Sequence, residues 1–462
     1  MDGMIDHPLA ERFARPDFAS LYLDFDSFFA SAEQHFNPAL RGKPIAVVPL
    51  DVPHTACIAI SREAKALSVP SGARVAKAKA IAPDLTFVVA RPDAYVRLHH
   101  DVLATIGACA SVEKVRSIDE LVCELPLIET RDAEAQARAI ACKIKCSLAE
   151  KFSPVLTCSI GIAQTELLAK IAAEMHKPDG LTVMRAADLP AAIAHLPLSD
   201  LPGVSDGIQA RLNRAGIDSV EALWNLSPRR ARRVWGSIEG ERLWNALHGM
   251  PYTRAETEKR MFGHSRMLPG DWRTPEKVEQ CARQLALSAA RRLRRSDKRA
   301  TKVTLAAKGG DNRALYSKRK TRTPDHLRWS HEVRCRGARD DKTVLRSLSQ
   351  AIAAYREQVR FRPRSVSVTL HGLKAADPAQ ADLFAHSASA ALDTDQRRSE
   401  RLSATLDAIR HDHGPDAAQL GMALAVPGGY LGGKIAFGRI PELSDFGESL
   451  SQDHETRFCE SI

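Results

Sequence analysis

Two pairs of acids stand where apolar runs end. Asp24 and Asp26 close the run FASLYLDFD, and the two-residue period of a strand puts both on one face. Ser117-Ile118-Asp119-Glu120 offers two more carboxylates after a second extended segment. Ionised carboxylates beside an apolar strand are costly to bury unless a cation or hydrogen-bond donors compensate them. Hard divalent ions are held by a few carboxylates together with substrate phosphates. Three acids from two neighbouring strands would therefore suit a two-metal centre for phosphoryl or nucleotidyl transfer. Acids that only cap turns at strand ends give the same spacing. Asp119 and Glu120 also need a bend, because adjacent residues on a regular strand face opposite sides.

The elements that must position these acids follow from periodicity. Residues 18–30 read as strand into helix, 45–49 and 56–60 as a short strand pair, and 62–67 and 93–112 as helices. Residues 113–124 read as two strands meeting at a turn around 118–120, 131–151 as a long Ala-rich helix, and 157–162 as a strand. Thr165 is placed to cap a helix running to His176, with Leu167, Leu168, Ile171, Ala172 and Met175 as its apolar stripe. Pro178-Asp179-Gly180 ends that helix. Residues 186–250 are helical pieces broken by Gly/Pro turns. Strands at 302–306 and 365–370 then alternate with helices at 275–295 and 343–358. A tether-like stretch follows 374, then a helix at 397–411 and a Gly-rich, acidic end.

No stretch approaches the roughly 18 consecutive apolar residues of a membrane helix. The charged N-terminus has no apolar signal region, and the nine cysteines form no CxxC pair. The expectation is a cytoplasmic protein with reduced thiols and no membrane contact. Lys and Arg number 66 against 56 Asp and Glu, a net of +10. Residues 254–373 hold 30 Lys and Arg against 12 Asp and Glu, so this segment carries +18 and the remainder −8. Its basic runs are Arg291, Arg292, Arg294 and Arg295, then Lys318, Arg319, Lys320 and Arg322. A solvated helix face would intersperse acids; few acids here point to contact with a nucleic-acid backbone.

The blocks LYLDFDSFFASAE (21–33) and LRGKPIAV (40–47) resemble the opening of the Y-family DNA polymerases, which include DinB-like enzymes and UmuC subunits. SIDE (117–120) looks like that family's second carboxylate motif, and CSIGIA (158–163) with LLAKIAAEMHKPDG (167–180) is similar to its third block. LPGVS (201–205) stands where the family has a helix-hairpin-helix. The resemblance implies an α+β multidomain right hand. Its parts would be a ferredoxin-like palm at 18–180 with small fingers inserted at about 30–80, a helical helix-hairpin-helix thumb at 181–252, an α/β little finger at 254–373 and a tail at 374–462. It further implies error-prone, template-directed translesion synthesis from dNTPs on primer-template DNA, without proofreading.

By position, Asp24, Asp119 and Glu120, with the Phe25 carbonyl, would bind two Mg²⁺. Asp26 would be a further acid, held equally well by hydrogen bonds to nearby backbone. Phe29 falls at the sugar-selecting position, a steric gate against the 2′-hydroxyl, with its neighbour Phe28 turned to the core. In the fingers Arg62 and Lys65 replace the DinB Tyr-x-x-Arg over the triphosphate and look more like UmuC, and Lys177 matches a further triphosphate lysine. Lys65 lacks the bidentate fork of arginine. Gly203 lets a tight turn present amides to a DNA phosphate. A second hairpin is expected around 234–244, with Trp235 and Trp244 in the core rather than stacking on bases.

Gln380, Leu383 and Phe384 resemble the peptide by which bacterial polymerases dock on the sliding clamp, the β subunit. The chain is expected to act as a monomer or with a partner in the UmuC manner. Two other readings are a polymerase-shaped scaffold without chemistry, whose relatives lose the carboxylates retained here, and a metal nuclease with a hairpin DNA grip.

Overall fold

The computed structural model describes residues 16–49, 55–125, 132–250, 258–268, 270–310, 327–375, 387–413, 417–418 and 440. The chain divides into two compact units, the first running to Ala255 and the second beginning at Glu256.

The first unit is built on a five-stranded sheet of order β5-β6-β1-β7-β8. Its strands are β1 (Ser20–Phe25), β5 (Ser111–Val115), β6 (Glu120–Glu124), β7 (Cys158–Ala163) and β8 (Leu181–Val183). Strand β1 lies in the middle, antiparallel to both β6 and β7, and every residue of β1 and β7 is buried. Helices α4 (Pro92–Gly107) and α5 (Ala133–Lys151) form the crossovers into β5 and β7. The first four strands in chain order, β1, β5, β6 and β7, thus stand as 2-3-1-4, the ferredoxin-like arrangement expected.

Helix α1 (Phe28–Phe36) leaves β1 and leads into a small sheet of β2 (Ile45–Val48), β3 (Ala59–Ile60) and β4 (Thr86–Val89). Strand β2 pairs antiparallel with β3 and parallel with β4. Two short helices, α2 (Arg62–Ala66) and α3 (Val75–Ile81), close its core around Val48, Ile60, Val69 and Leu85.

Helix α6 (Glu166–Met175) packs on the palm sheet, and glycine sets how closely. A Cβ at Gly161 of β7 would lie 1.9 Å from the Ala169 carbonyl oxygen and 2.4 Å from the Ala173 nitrogen. No side chain fits between this helix and this strand. Thr165 caps α6 by accepting from the Leu168 N–H, as its place in the sequence predicts, and its hydroxyl also donates to the Ala246 carbonyl at 2.8 Å.

Four helices continue the unit: α7 (Asp206–Arg214), α8 (Val220–Trp224), α9 (Pro228–Trp235) and α10 (Ile238–Leu247). They share a core with α6 through Leu212, Val220, Leu223, Trp235 and Leu247. Trp235 is a core residue; Trp244 is half-buried and stacks on His248, with ring centroids 3.7 Å apart.

The second unit is a four-stranded antiparallel sheet of order β11-β10-β12-β9. Its strands are β9 (Met261–Met267), β10 (Lys298–Lys308), β11 (Arg328–Ala338) and β12 (Ser365–Ala375). Helices α11 (Pro275–Arg295) and α12 (Asp341–Gln358) cover one face, burying Leu285, Leu293, Val303, Leu305, Leu348, Val368 and Leu370. This packed unit extends past residue 373. Helix α13 (Ser387–His413) docks on it through ion pairs and buried hydroxyls. Arg299 makes a two-pronged pair with Glu400, Ser399 donates to Asp340 at 2.6 Å, and Ser403 accepts from the Asp341 N–H at 3.0 Å.

No described helix is long and apolar enough to cross a membrane. Gly161→Ala is expected to lower stability by about 1–3 kcal/mol, the usual range for overpacking a tight contact. Chemical denaturation measures this, and an unchanged midpoint would mean that α6 does not need its close seat.

Candidate active site

Strand pairing brings the first two acids together. Asp24 of β1 stands directly opposite Glu120, the first residue of β6, so both project from one face at the same end of the sheet. Helix α6 adds Glu174, and one oxygen from each of Asp24, Glu120 and Glu174 lies within 4.8 Å of the others. Asp119 precedes β6 in a tight turn closed by Arg116 and Ser117 N–H groups on the Glu120 carbonyl. Its carboxylate accepts from the Ser117 hydroxyl, and it is not one of the three converging acids. Buried His99 of α4 donates from Nδ1 to the Ile118 carbonyl at 2.8 Å and so pins this turn. The Phe25 N–H donates to the Asp119 carbonyl at 2.9 Å, tying the end of β1 to the same turn.

Two lysines of the third block compensate the acids. Lys177 Nζ is 2.8 Å from Asp24 Oδ2 and 2.7 Å from Glu174 Oε1. Lys170 Nζ is 2.5 Å from Glu120 Oε1 and 3.0 Å from the Tyr22 hydroxyl. Burial nevertheless dominates at Asp24: it raises the carboxyl to about 7, with Lys177 opposing and the charges of Glu174 and Glu120 adding to the rise. Burial also raises Asp119, against its Ser117 hydrogen bond. At Glu120 burial is outweighed by the hydrogen bond and charge of Lys170, which hold the carboxyl below its usual range. Clustered hard oxygen donors, with Asp24 and Asp119 held protonated more easily than usual by burial, fit a divalent metal ion.

Asp26 takes no part in that cluster. Its Oδ1 accepts from Ser159 at 2.9 Å, and its Oδ2 from Thr157 and from the Asp179 N–H, both at 2.8 Å. It is a buried anchor for the segment that follows α6. Ser159, whose hydroxyl bonds Asp26, stands directly opposite Asp24 on β7, so Asp26 bonds on the face that Asp24 occupies although β1 ends at Phe25.

Residues 23–174 match the model of the impB/mucB/samB family, and residues 259–383 match that family's C-terminal domain. DNA polymerase IV of Moorella thermoacetica is 28% identical over 424 residues, 90% of this chain and 99% of that protein. DNA polymerase IV of Streptomyces coelicolor is 30% identical over 377 residues, 80% of this chain and 73% of that protein. Among solved structures, a Y-family DNA polymerase chimera aligns with a TM-score of 0.61 at 21% identity, covering 77% of this chain and 99% of that one. The chain belongs to the Y family of DNA polymerases. Its relatives here are polymerase IV proteins, which makes it DinB-type.

Within this Y-family architecture the remaining sequence candidates fall in different settings. Arg62 opens α2 and is half-buried, while Lys65 in the same helix is exposed. Phe28 and Phe29 are both buried. Phe29 stacks on Tyr95 with centroids 4.8 Å apart. Gly203 has φ +95°, a left-handed backbone that its turn requires and that other residues rarely adopt.

The basic run at the end of α11 is turned largely inward. Arg294 is only 8% exposed; it forks onto Asp407 at 2.6 and 3.0 Å and reaches Asp341 at 2.7 Å. Arg291 is mostly buried, and burial lowers its pKa. Arg292 donates to the Gly263 carbonyl at 2.9 Å, and Arg295 alone of the four is exposed. The expectation that all four meet DNA is therefore corrected: helix α13 supplies Asp407 and helix α12 supplies Asp341, the two acids that Arg294 uses. Lys318, Arg319, Lys320, Arg322, Gln380, Leu383 and Phe384 lie outside the described residues.

Two basic surfaces escaped the sequence reading. The uncovered face of the second sheet carries Lys302 and Lys308 on β10 opposite Arg334 and Arg328 on β11, with Ser365, Ser367 and Thr369 on β12; Glu332 of β11 also lies there, 2.8 Å from Lys302. Helix α9 exposes Arg229, Arg230, Arg232 and Arg233. Glu174 and Lys170 were missed as well. The signal was there: Lys170, Glu174 and Lys177 recur at helical spacing on the side away from the apolar stripe.

A carboxyl held at about 7 is protonated below that pH, so a cation binding there must expel a proton. In the metal-free fold the same raised value weighs against stability above pH 7, and the penalty fades as pH falls toward the ordinary aspartate range. Calorimetric affinity of the metal-free protein for Mn²⁺ should thus weaken from about pH 8 to about pH 6, by up to roughly tenfold per unit. A pH-independent affinity would place the cation away from Asp24.

Proposed function

We propose that this Y-family polymerase transfers nucleotides at the Asp24–Glu120 end of the palm sheet, extending primers across damaged template by template-directed, error-prone synthesis. The convergence of Asp24 and Glu120 by direct cross-strand register carries the assignment. Asp24, Asp119 and Glu120 with the Phe25 carbonyl would hold two Mg²⁺, and Glu174 stands close enough to join them. Bound there, the ions neutralise the triphosphate and acidify the primer 3′-hydroxyl.

The protein's own groups prepare for this. Lys177 and Lys170 keep the acids together before cations bind, and Lys177 is then free to pair with triphosphate oxygens. Arg62 and Lys65 present positive charge from the fingers helix α2. Phe29 acts as the sugar gate. The open sheet face bearing Lys302, Lys308, Arg328 and Arg334, the arginines of α9 and the Gly203 turn grip the phosphate backbone of primer-template DNA. Gln380, Leu383 and Phe384 dock the enzyme on the sliding clamp, the two apolar side chains filling a groove and the amide bonding at its rim.

Primer extension on an undamaged and a lesion-bearing template tests the site. Asp119→Ala should lose on the order of a thousandfold in rate, the equivalent of several kcal/mol of charge stabilisation. Equal extension by wild type and variant would sink the assignment. For the tether, replacing Leu383 and Phe384 by Ala should weaken clamp binding while distributive synthesis continues. Clamp-stimulated processivity that survives the double substitution would remove the peptide from its role.

A further inference from the structure

Behind Phe29 lies a buried ionic assembly that neither the metal chemistry nor the DNA grip uses. Glu33 sits one helical turn after Phe29 on α1 and is 2% exposed. Its carboxylate accepts a fork from Arg91, Nε to Oε1 at 3.1 Å and Nη2 to Oε2 at 2.5 Å. The same Oε1 accepts from the Tyr95 hydroxyl at 2.6 Å. Tyr95 is fully buried, and its ring stacks on Phe29 with centroids 4.8 Å apart and planes at 28°. Phe28 and Phe25 extend the row on the other side at 5.8 and 5.6 Å.

Packing alone does not call for this arrangement. An aliphatic residue at position 33 would fill space without the desolvation penalty of a buried ion pair. What the pair supplies is direction. A forked guanidinium–carboxylate contact fixes the plane of the carboxylate, the carboxylate fixes the phenol, and the phenol ring fixes the aromatic face against it. Burial and the charge of Glu33 both push the Tyr95 hydroxyl well above its usual pKa, so it stays a proton donor. Arg91 immediately precedes Pro92 of α4, where the chain returns from β4 of the small β2-β3-β4 sheet, and Glu33 lies on α1, the helix that leads into that sheet insert. The contact therefore fastens the two ends of the insert together beneath the gate.

We infer that Arg91, Glu33 and Tyr95 form a positioning relay that sets the depth of the Phe29 ring and with it the discrimination between deoxyribose and ribose. This rests on Phe29 being the sugar gate. None of the three need touch the nucleotide; each acts through Phe29. A gate that excludes one hydroxyl works only if its ring cannot retreat, and a ring backed by a hydrogen-bonded phenol has less freedom than one backed by a hydrocarbon.

The test is single-nucleotide incorporation by the full-length enzyme on a primed template, with a matched dNTP and its rNTP, for wild type, Phe29→Ala, Tyr95→Phe and Glu33→Gln. The readout is the ratio of kcat/KM values, because general loosening of the fold lowers both substrates alike. Phe29→Ala should collapse the ratio. Tyr95→Phe, which removes only the hydroxyl, should reduce it about tenfold, equivalent to roughly 1.4 kcal/mol, mainly through a lower KM for the ribonucleotide. Glu33→Gln should fall in the same direction. A collapsed ratio in Phe29→Ala with wild-type ratios in the other two overturns the relay and leaves the gate standing. An unchanged ratio in Phe29→Ala overturns the gate and the relay with it.

Discussion

The palm depends on holding several carboxylates at one sheet end without a cation present. Asp24 and Glu120 are forced into proximity by the β1–β6 register, and Glu174 is brought in by α6. Left alone, those charges would repel one another in a poorly solvated setting. Lys177 and Lys170 come from the same block of sequence as Glu174, so one helix supplies both an acid and its compensation. The helix can do this only because Gly161 lets it lie against β7. Asp26 then ties down the loop beyond it, through the Asp179 N–H. Sheet register, one glycine and two ammonium groups together make the site possible.

Much of this was legible in the sequence, and the reasons for the gaps are physical. Asp24 and Glu120 stood out because carboxylates beside an apolar strand are costly to bury without compensation, and because the blocks around them resemble the family's. Glu174 and Lys170 did not, since charges on the outer side of an amphipathic helix look like ordinary solvated residues. Asp26 settles into the hydrogen-bonded role that the sequence left open beside metal contact. The ferredoxin-like order followed from the resemblance and is now seen in the pairing itself. Strands β9 and β11 were not anticipated, because polar residues alternate with few strong apolar ones along them.

Arg294 shows a different limit. A run of arginines invites the reading of a nucleic-acid surface, yet the two acids that take up this one are 47 and 113 residues away in the chain. Charge counts tell how much positive charge a segment has, not which of it is already committed. The uncovered sheet face, by contrast, gathers its lysines and arginines from two strands, and only the β10–β11 register reveals that they are neighbours.

The docking of α13 has a meaning for how such proteins change over time. The match to the family's C-terminal domain stops at residue 383, before this helix begins, and the seam that attaches it is polar. An apolar seam would demand coordinated repacking of two surfaces, whereas an ionic one can be acquired or discarded by altering a handful of charged positions. Helix α13 is thus held by contacts that a few charge substitutions would release, without disturbing the apolar core of the sheet and its two covering helices. Arg294 and Arg299 of that domain are committed to acids of the helix and hold it in place.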